Sequence, residues 1–287
     1  MENILEIQNL RKEYNGFILK DMCLTLPQGY ILGFIGPNGA GKTTVIKLIM
    51  NLIKRNAGEI KVFGLDNLAY EREIKQRIGF VYDENFFYEE LNSLEIGLLM
   101  APAYTDWDNK LFRRYLDDFK LPPKKPLKKF SKGMKMKLSL ALCLSHHPQF
   151  LLMDEPTSGL DPVFRREVLM ILQEFMTDET KGILLSSHIT SDLDKIADYV
   201  CFINNGEIML NCSKEEVLEK YGIVKGERKT LDGELRRELV GLQESEFGFS
   251  GLTADKEKVR GRWKDAVFIE RPTLEDIMVY AAGRGEA

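Results

Sequence analysis

The sequence predicts an α/β fold built on a mainly parallel sheet, with an N-terminal antiparallel β-subdomain, a helical insert and a small C-terminal appendage. Short apolar runs of buried-strand length, at Tyr30 to Ile35, Arg77 to Tyr82, Phe150 to Met153, Gly182 to Ser186 and Tyr199 to Ile203, are separated by helical patterns. That is the layering expected when helices cover a parallel sheet. Ahead of these runs, two strand-like stretches flank the hairpin signal Tyr14-Asn15-Gly16. Between the Arg77 and Phe150 runs, residues 86–147 carry helical spacing.

Taken in order, Leu5-Glu6-Ile7-Gln8 alternates and Phe17 to Leu26 pairs with it across the hairpin turn. The Tyr30 strand then runs into a Gly-rich loop, followed by a helical pattern over Thr44 to Ile53. In the insert, Ser93 to Met100 and Trp107 to Phe119 read as helices, the second with Leu111, Tyr115, Leu116 and Phe119 on one face. Leu138 to Met153 is split by His146-His147-Pro148, which ends a helix before the Phe150 strand begins. Both histidines are expected at the helix end, where a cation suits the dipole. From about Gly222 the pattern weakens until Pro272-Thr273-Leu274-Glu275-Asp276 marks a last helix, with Thr273 as N-cap ahead of Ile277, Met278 and Ala281. The expected division is 1–221 and 222–287.

Composition narrows the function classes. With 44% hydrophobic and 29% charged residues in 287, the chain is an ordinary globular one. A net charge of -4, from 40 basic and 44 acidic residues, gives no overall basic field, so no specific nucleic-acid partner is expected. The basic run Lys124, Lys125, Lys128, Lys129, Lys132, Lys135 and Lys137 has little aromatic interleaving and reads as a solvated face. Cys23, Cys143, Cys201 and Cys212 form no CxxC pair and read as reduced core thiols. The start, Met1-Glu2-Asn3-Ile4-Leu5, carries no secretory pattern. The charge-free run from Met22 to Gly41 is too rich in Gly and Pro to cross a membrane as a helix. A cytoplasmic location is expected, with any membrane role a peripheral one.

Gly36-Pro37-Asn38-Gly39-Ala40-Gly41-Lys42-Thr43, followed by Thr44, fits GxxxxGK[ST] and lies between a predicted strand and a predicted helix. The glycines let successive N–H groups curl around a phosphate, and the helix N-terminus adds its positive end. Lys42 reaches the terminal phosphate oxygens and Thr43 offers a hydroxyl to Mg²⁺. GTPases, small-molecule kinases and transport ATPases share this loop, so a second site must choose among them. Phe150-Leu151-Leu152-Met153 is an apolar strand ending in Asp154-Glu155. Asp154 is placed to hold Mg²⁺ through its water shell, and Glu155 to polarise an attacking water. The core is thus read as a P-loop NTPase.

From about Ile4 to Tyr221 these residues resemble the nucleotide-binding subunit of an ATP-binding cassette (ABC) transporter. The most specific element is Phe130-Ser131-Lys132-Gly133-Met134-Lys135, similar to the family's signature sequence. Ser158-Gly159-Leu160-Asp161 is similar to the D-loop, and Ser186-Ser187-His188 to the strand end carrying the switch histidine. The resemblance implies that Tyr14 stacks on adenine and that the cofactors are ATP and Mg²⁺. It implies that Glu155 and His188 are catalytic, that two cassettes close face to face, and that Ser131, Lys132, Gly133 and Met134 complete the partner's ATP site. Asp161 would then communicate between the sites, and a separately encoded integral membrane permease would be driven. The Met134-Lys135 pair and the closing Pro272-Thr273-Leu274-Glu275-Asp276-Ile277 resemble the ABC-2 type exporter branch, so export is the expected direction.

Two residues depart from the family pattern. Asp83 stands where Gln is usual; a carboxylate can still serve Mg²⁺ through water but donates no hydrogen bond when ionised. Lys132 stands where Gly is common, either adding charge near the facing phosphate or pointing to water. Phe86, Phe87 and Tyr88 fall where the family receives a helix of the membrane subunit, and partner docking is preferred for them over core packing. The alternative function is a soluble cassette ATPase acting on ribosomes or DNA.

Overall fold

The structure, a computed structural model, describes residues 2–82 and 87–282, the last two by backbone alone. β1 (Asn3–Tyr14) and β2 (Phe17–Pro27) form the hairpin around Asn15-Gly16, with Tyr14 opposite Phe17. Their inward residues Leu5, Ile7, Leu10, Leu24 and Leu26 are buried, as the alternation requires. β3 (Ile31–Ile35) is buried along its length and leads through the Gly-rich loop into α1 (Lys42–Ile49). β4 (Ala57–Val62) and β5 (Leu65–Asp66) return to β1, giving an antiparallel sheet of order β2-β1-β4-β5. α2 (Glu71–Arg77) then feeds β6 (Ile78–Val81).

The helical insert comprises α3 (Ser93–Met100), α4 (Asn109–Asp118) and α5 (Lys132–Leu144). Asn92 and Glu95 close a capping box at the start of α3. Ile96, Phe112, Leu116, Leu127, Phe130 and Leu138 form the insert's own small core. After it come β7 (Phe150–Asp154), α6 (Pro162–Phe175), β8 (Gly182–Ser187), α7 (Thr190–Ile196), β9 (Tyr199–Asn204), β10 (Glu207–Ser213) and α8 (Lys214–Lys220). The central sheet has the order β10-β9-β3-β8-β7-β6, parallel from β9 to β6, with β10 antiparallel at the edge. Its interior strands are apolar throughout because α1 and the β1–β2 sheet cover one face, and α5, α6 and α7 the other. Register places Ile35 beside Ser187 and Asp154 beside Ser186, so three strands finish along one edge. Ligands of open α/β sheets sit outside such carboxyl ends.

The C-terminal segment is more than a helix. β11 (Gly222–Gly226), α9 (Gly233–Glu238), β12 (Val240–Glu244), β13 (Phe249–Thr253), α10 (Lys256–Trp263) and β14 (Val267–Glu270) build an antiparallel sheet of order β12-β13-β11-β14. One face packs on Leu231, Leu235 and Val259. α11 (Leu274–Ala282) packs between this sheet and α7, carrying Leu274, Ile277 and Tyr280 into the cluster that contains Leu193 and Ile196. The backbone amide of Leu274 also bonds the Asp194 carboxylate; burial nevertheless holds that carboxyl above its ordinary range, against the Lys214 ammonium.

Some expectations shift. His146 is 2% exposed, with its ring stacked on Tyr104 at 3.9 Å, and burial drives its pKa down to about 4. It is therefore neutral at pH 7, and the helix-end cation reading fails for it; His147, exposed, lies 3.9 Å from Asp108. Among the cysteines Cys143 and Cys201 are buried, whereas Cys23 is exposed. The basic run is partly ion-paired at the surface: Lys128 to Glu90, Lys135 to Glu89 and Lys137 to Glu167. Phe87 packs against the insert's core, Tyr88 is exposed, and Phe86 lies outside the described residues.

Candidate active site

The phosphate loop takes its shape from two glycines. At Gly36 a Cβ would stand 2.3 Å from the Ile203 carbonyl oxygen, so only glycine lets the loop rest on β9. Gly41 caps α1 with φ 114°, a conformation closed to L side chains. Held this way, the loop turns the start of α1 toward the ends of β3 and β7. The Lys42 ammonium is buried; it donates to the carbonyls of Gly36 at 2.7 Å and Pro37 at 3.3 Å, and lies 3.3 Å from Glu155 Oε1.

Opposite stands the acidic strand end. Asp154 is buried and accepts from Thr43 Oγ1 at 2.7 Å and from Ser186 Oγ at 2.5 Å. Glu155 follows with φ 51°, a left-handed conformation rarely adopted by a residue with a side chain. Its amide donates to the Ser186 carbonyl at 3.2 Å and the Ser186 hydroxyl at 3.1 Å. That strained turn swings the carboxylate away from Asp154 and toward β8, where Oε2 meets His188 Nδ1 at 2.7 Å. With a carboxylate as acceptor, Nδ1 carries the proton, leaving Nε2 as the open lone pair. Oε1 is buried and accepts no hydrogen bond among the described residues; the Lys42 charge alone balances it.

Lys42, Thr43, Asp154 and Glu155 line a cleft of about 560 Å³, together with Tyr14, Pro37, Asn38, Gly39, Gly41 and Thr44; His188 and Ser186 are not part of its lining and meet it through their bonds to Glu155 and Asp154. Gly36 and Ala40 stand behind the loop instead, Gly36 as acceptor for Lys42 and Ala40 as acceptor for the Gly206 amide at 3.0 Å. Phe17 and Tyr82 also line the cleft and were not among the expected residues. Phe17 was open to inference, being the residue across the hairpin from Tyr14. Ser186, which holds both Asp154 and the Glu155 amide, was expected only as part of the His188 motif, with no role of its own.

Ser131, Lys132, Gly133, Met134 and Asp161 do not line this cleft. Ser131 is the N-cap of α5, accepting from the Met134 amide at 3.2 Å, and Asp161 is the N-cap of α6, accepting from Val163 and Phe164. Lys132 lies along the D-loop-like turn, its Nζ 3.5 Å from where a Cβ of Gly159 would stand. Asp83 lies outside the described residues.

Comparison with known proteins accords with this arrangement. Residues 19–158 match the ABC transporter family model. The chain is 33% identical over 252 residues to the bacitracin transport ATP-binding protein BcrA of Bacillus licheniformis, covering 86% of this chain and 80% of that one. The chain belongs to the ABC transporter family. It is likewise 34% identical over 210 residues to the lantibiotic transport ATP-binding protein SrtF of Streptococcus pyogenes, covering 72% of this chain and 90% of that one. Among solved structures, an ATP-binding subunit of an ABC transporter superposes with TM-score 0.69 at 27% identity, over 75% of this chain and 92% of that chain. This ABC protein is accordingly the ATP-binding subunit of a transporter, an ATPase whose hydrolysis is coupled to transport. The ribosome or DNA alternative is disfavoured. No helix among the described residues is long and apolar enough to cross a membrane.

Proposed function

We propose that this ABC subunit hydrolyses MgATP in the cleft above and drives a separately encoded membrane permease as an exporter, from the cytoplasmic face. The contact that carries the chemistry is the 2.7 Å bond between His188 Nδ1 and Glu155 Oε2, made by the carboxylate that lines the cleft with the buried Lys42 ammonium. Tyr14 stacks on the adenine; the amides of the loop from Gly36 to Thr44 and Lys42 hold the phosphates. Glu155 orients and deprotonates the attacking water, with Oε1 as the unclaimed acceptor. His188, fixed by Glu155 through Nδ1, presents the Nε2 lone pair as an acceptor toward the attacking water beside the terminal phosphate.

Thr43 and Asp154 fit Mg²⁺. A hydroxyl and a carboxylate 2.7 Å apart offer hard oxygen donors, and Mg²⁺ takes few protein ligands, the rest coming from substrate phosphate and water. Asp83 is assigned to the same ion through water. When bound, the ion neutralises charge on the phosphate oxygens. Thr43 and Asp154 hold each other in place, and Ser186 fixes the remaining carboxylate oxygen, so the donors need little rearrangement.

The signature residues Ser131, Lys132, Gly133 and Met134 lie away from their own cleft and are assigned to the ATP site of a second cassette, with Asp161 communicating between the two. A division of labour follows: 1–221 as the cassette and 222–287 as an accessory unit. The export direction rests on similarity to proteins named for bacitracin and lantibiotic transport. Glu155→Gln keeps the carbonyl oxygen and loses the base; it is expected to bind ATP as wild type and to hydrolyse it about 10²-fold or more slowly. Near wild-type turnover would remove Glu155 from the chemistry.

A further inference from the structure

Asp192 is 0% exposed, and neither of its carboxylate oxygens has a hydrogen-bond partner among the described residues. A buried carboxylate without donors is unstable unless a charge answers it. The answering charge is Arg165, whose Nε lies 3.7 Å from Asp192 Oδ2 and is itself buried without a hydrogen bond among the described residues. The contact is one of charge across a gap wider than a hydrogen bond. What makes it informative is where its two ends are attached.

Arg165 belongs to the first turn of α6, and its amide donates to the Asp161 carbonyl at 2.9 Å. It therefore moves with the Ser158-Gly159-Leu160-Asp161 turn. Asp192 belongs to the first turn of α7, and its amide donates to the Ile189 carbonyl at 3.2 Å. Ile189 directly follows His188. The pair thus joins the two turns through the two helices they open, inside a core where a shift of either helix must be answered by its neighbour.

We infer that Arg165 and Asp192 are a positioning pair that sets the His188 imidazole against Glu155 and ties its placement to the Asp161 turn. The inference rests on the reading of Glu155 and His188 given above. Neither residue lines the cleft or hydrogen-bonds Glu155 or His188 among the described residues, so each is a positioning residue and not a catalytic one. Their loss should leave ATP binding intact and loosen the histidine.

The chain contains 3 histidines, so the imidazole nitrogens of the full-length protein labelled with ¹⁵N-histidine are few enough to assign by substitution. In Asp192→Asn, kcat should fall about tenfold while the KM for ATP stays within about twofold. The His188 Nδ1 resonance should move in the direction it moves in Glu155→Ala, with His146 and His147 unmoved. Arg165→Gln should do the same from the less buried end of the pair, which keeps the test open if Asp192→Asn fails to fold. Arg165→Lys, which keeps the charge, should restore most of the turnover. An unmoved His188 resonance, or an unchanged kcat, in a folded Asp192→Asn or Arg165→Gln overturns the inference while leaving the active-site reading in place. Wild-type turnover in His188→Ala removes the active-site reading and this inference with it.

Discussion

At the end of α5 the His146 ring lies stacked on Tyr104, with Nδ1 unpartnered among the described residues and its pKa lowered from 6.5 to about 4 by burial. The folded state resists the proton and the unfolded chain takes it up below pH 6.5. The stability this residue contributes is therefore complete above pH 6.5 and is lost as the pH falls toward 4. The shift corresponds to about 3 kcal/mol at most. His146→Phe preserves a ring for Tyr104 and removes the titration, so its urea-unfolding free energy should depend less on pH over that window than the wild type's. Equal pH dependence in the two proteins would mean that other groups set the acid limit. The same residue shows what a sequence withholds: His146 and His147 are adjacent and alike in type, yet one is buried and the other exposed. The packing of Tyr104 on one, and the left-handed backbone of the other, distinguish them.

Among the elements, legibility followed burial and length. The strands at Phe150 to Asp154 and Gly182 to Ser187 are buried at every position, so an unbroken apolar run announces them. β4 and β10 are only partly buried, carry charge or polar groups, and gave no such signal. The C-terminal sheet is built of strands of four or five residues, several containing Gly, with a register shift between β12 and β13. Strands that short offer too few alternations to count. At the site, the loop and the acidic strand end were legible because their chemistry fixes residue type and spacing together. The role of Phe17 was not, nor was that of Ser186 beyond its place in the His188 motif, because an aromatic or a serine in a strand has ordinary structural uses. The last helix was legible through its cap, and the structure closes it: Asp276 accepts from the Thr273 amide at 2.8 Å, and the Asp276 amide donates to Thr273 Oγ1 at 3.1 Å. Thr273→Ala should therefore lower stability by about 1 kcal/mol in denaturant unfolding. Because α11 packs on α7, hydrogen exchange should quicken in both helices; quickening confined to α11 would show that α7 does not depend on it.

At the scale of the whole molecule, the distribution of site residues matters more than any one of them. Ser131 presents the N-terminus of α5 at a surface away from the cleft that holds Lys42 and Glu155, so within one chain the anion-binding end has nothing to bind. On the function proposed above, a second copy, or a related cassette, placed head to tail would supply the missing phosphate to each. MgATP should therefore dimerise Glu155→Gln, seen as a doubled mass in light scattering, and a further Ser131→Arg should return it to monomer. A dimer that persists with Ser131→Arg would place the interface elsewhere.

The proposed dimer would open and close to no purpose unless something were attached to it, and the chain has no spanning helix among its described residues. Tyr88, 74% exposed, with Leu98 and Leu99 at 70% and 57%, offers apolar surface on the helical insert that its own core leaves uncovered. Affinity purification of the full chain from detergent-solubilised cells should recover a polytopic membrane protein in stoichiometric amount. Leu98→Asp with Leu99→Asp should release that protein while leaving ATP binding intact, since neither residue lines the cleft. Retention of the membrane protein by the double variant would move the docking surface off the insert. Recovery of ribosomal or DNA-repair components in its place would turn the same closing motion toward a soluble target.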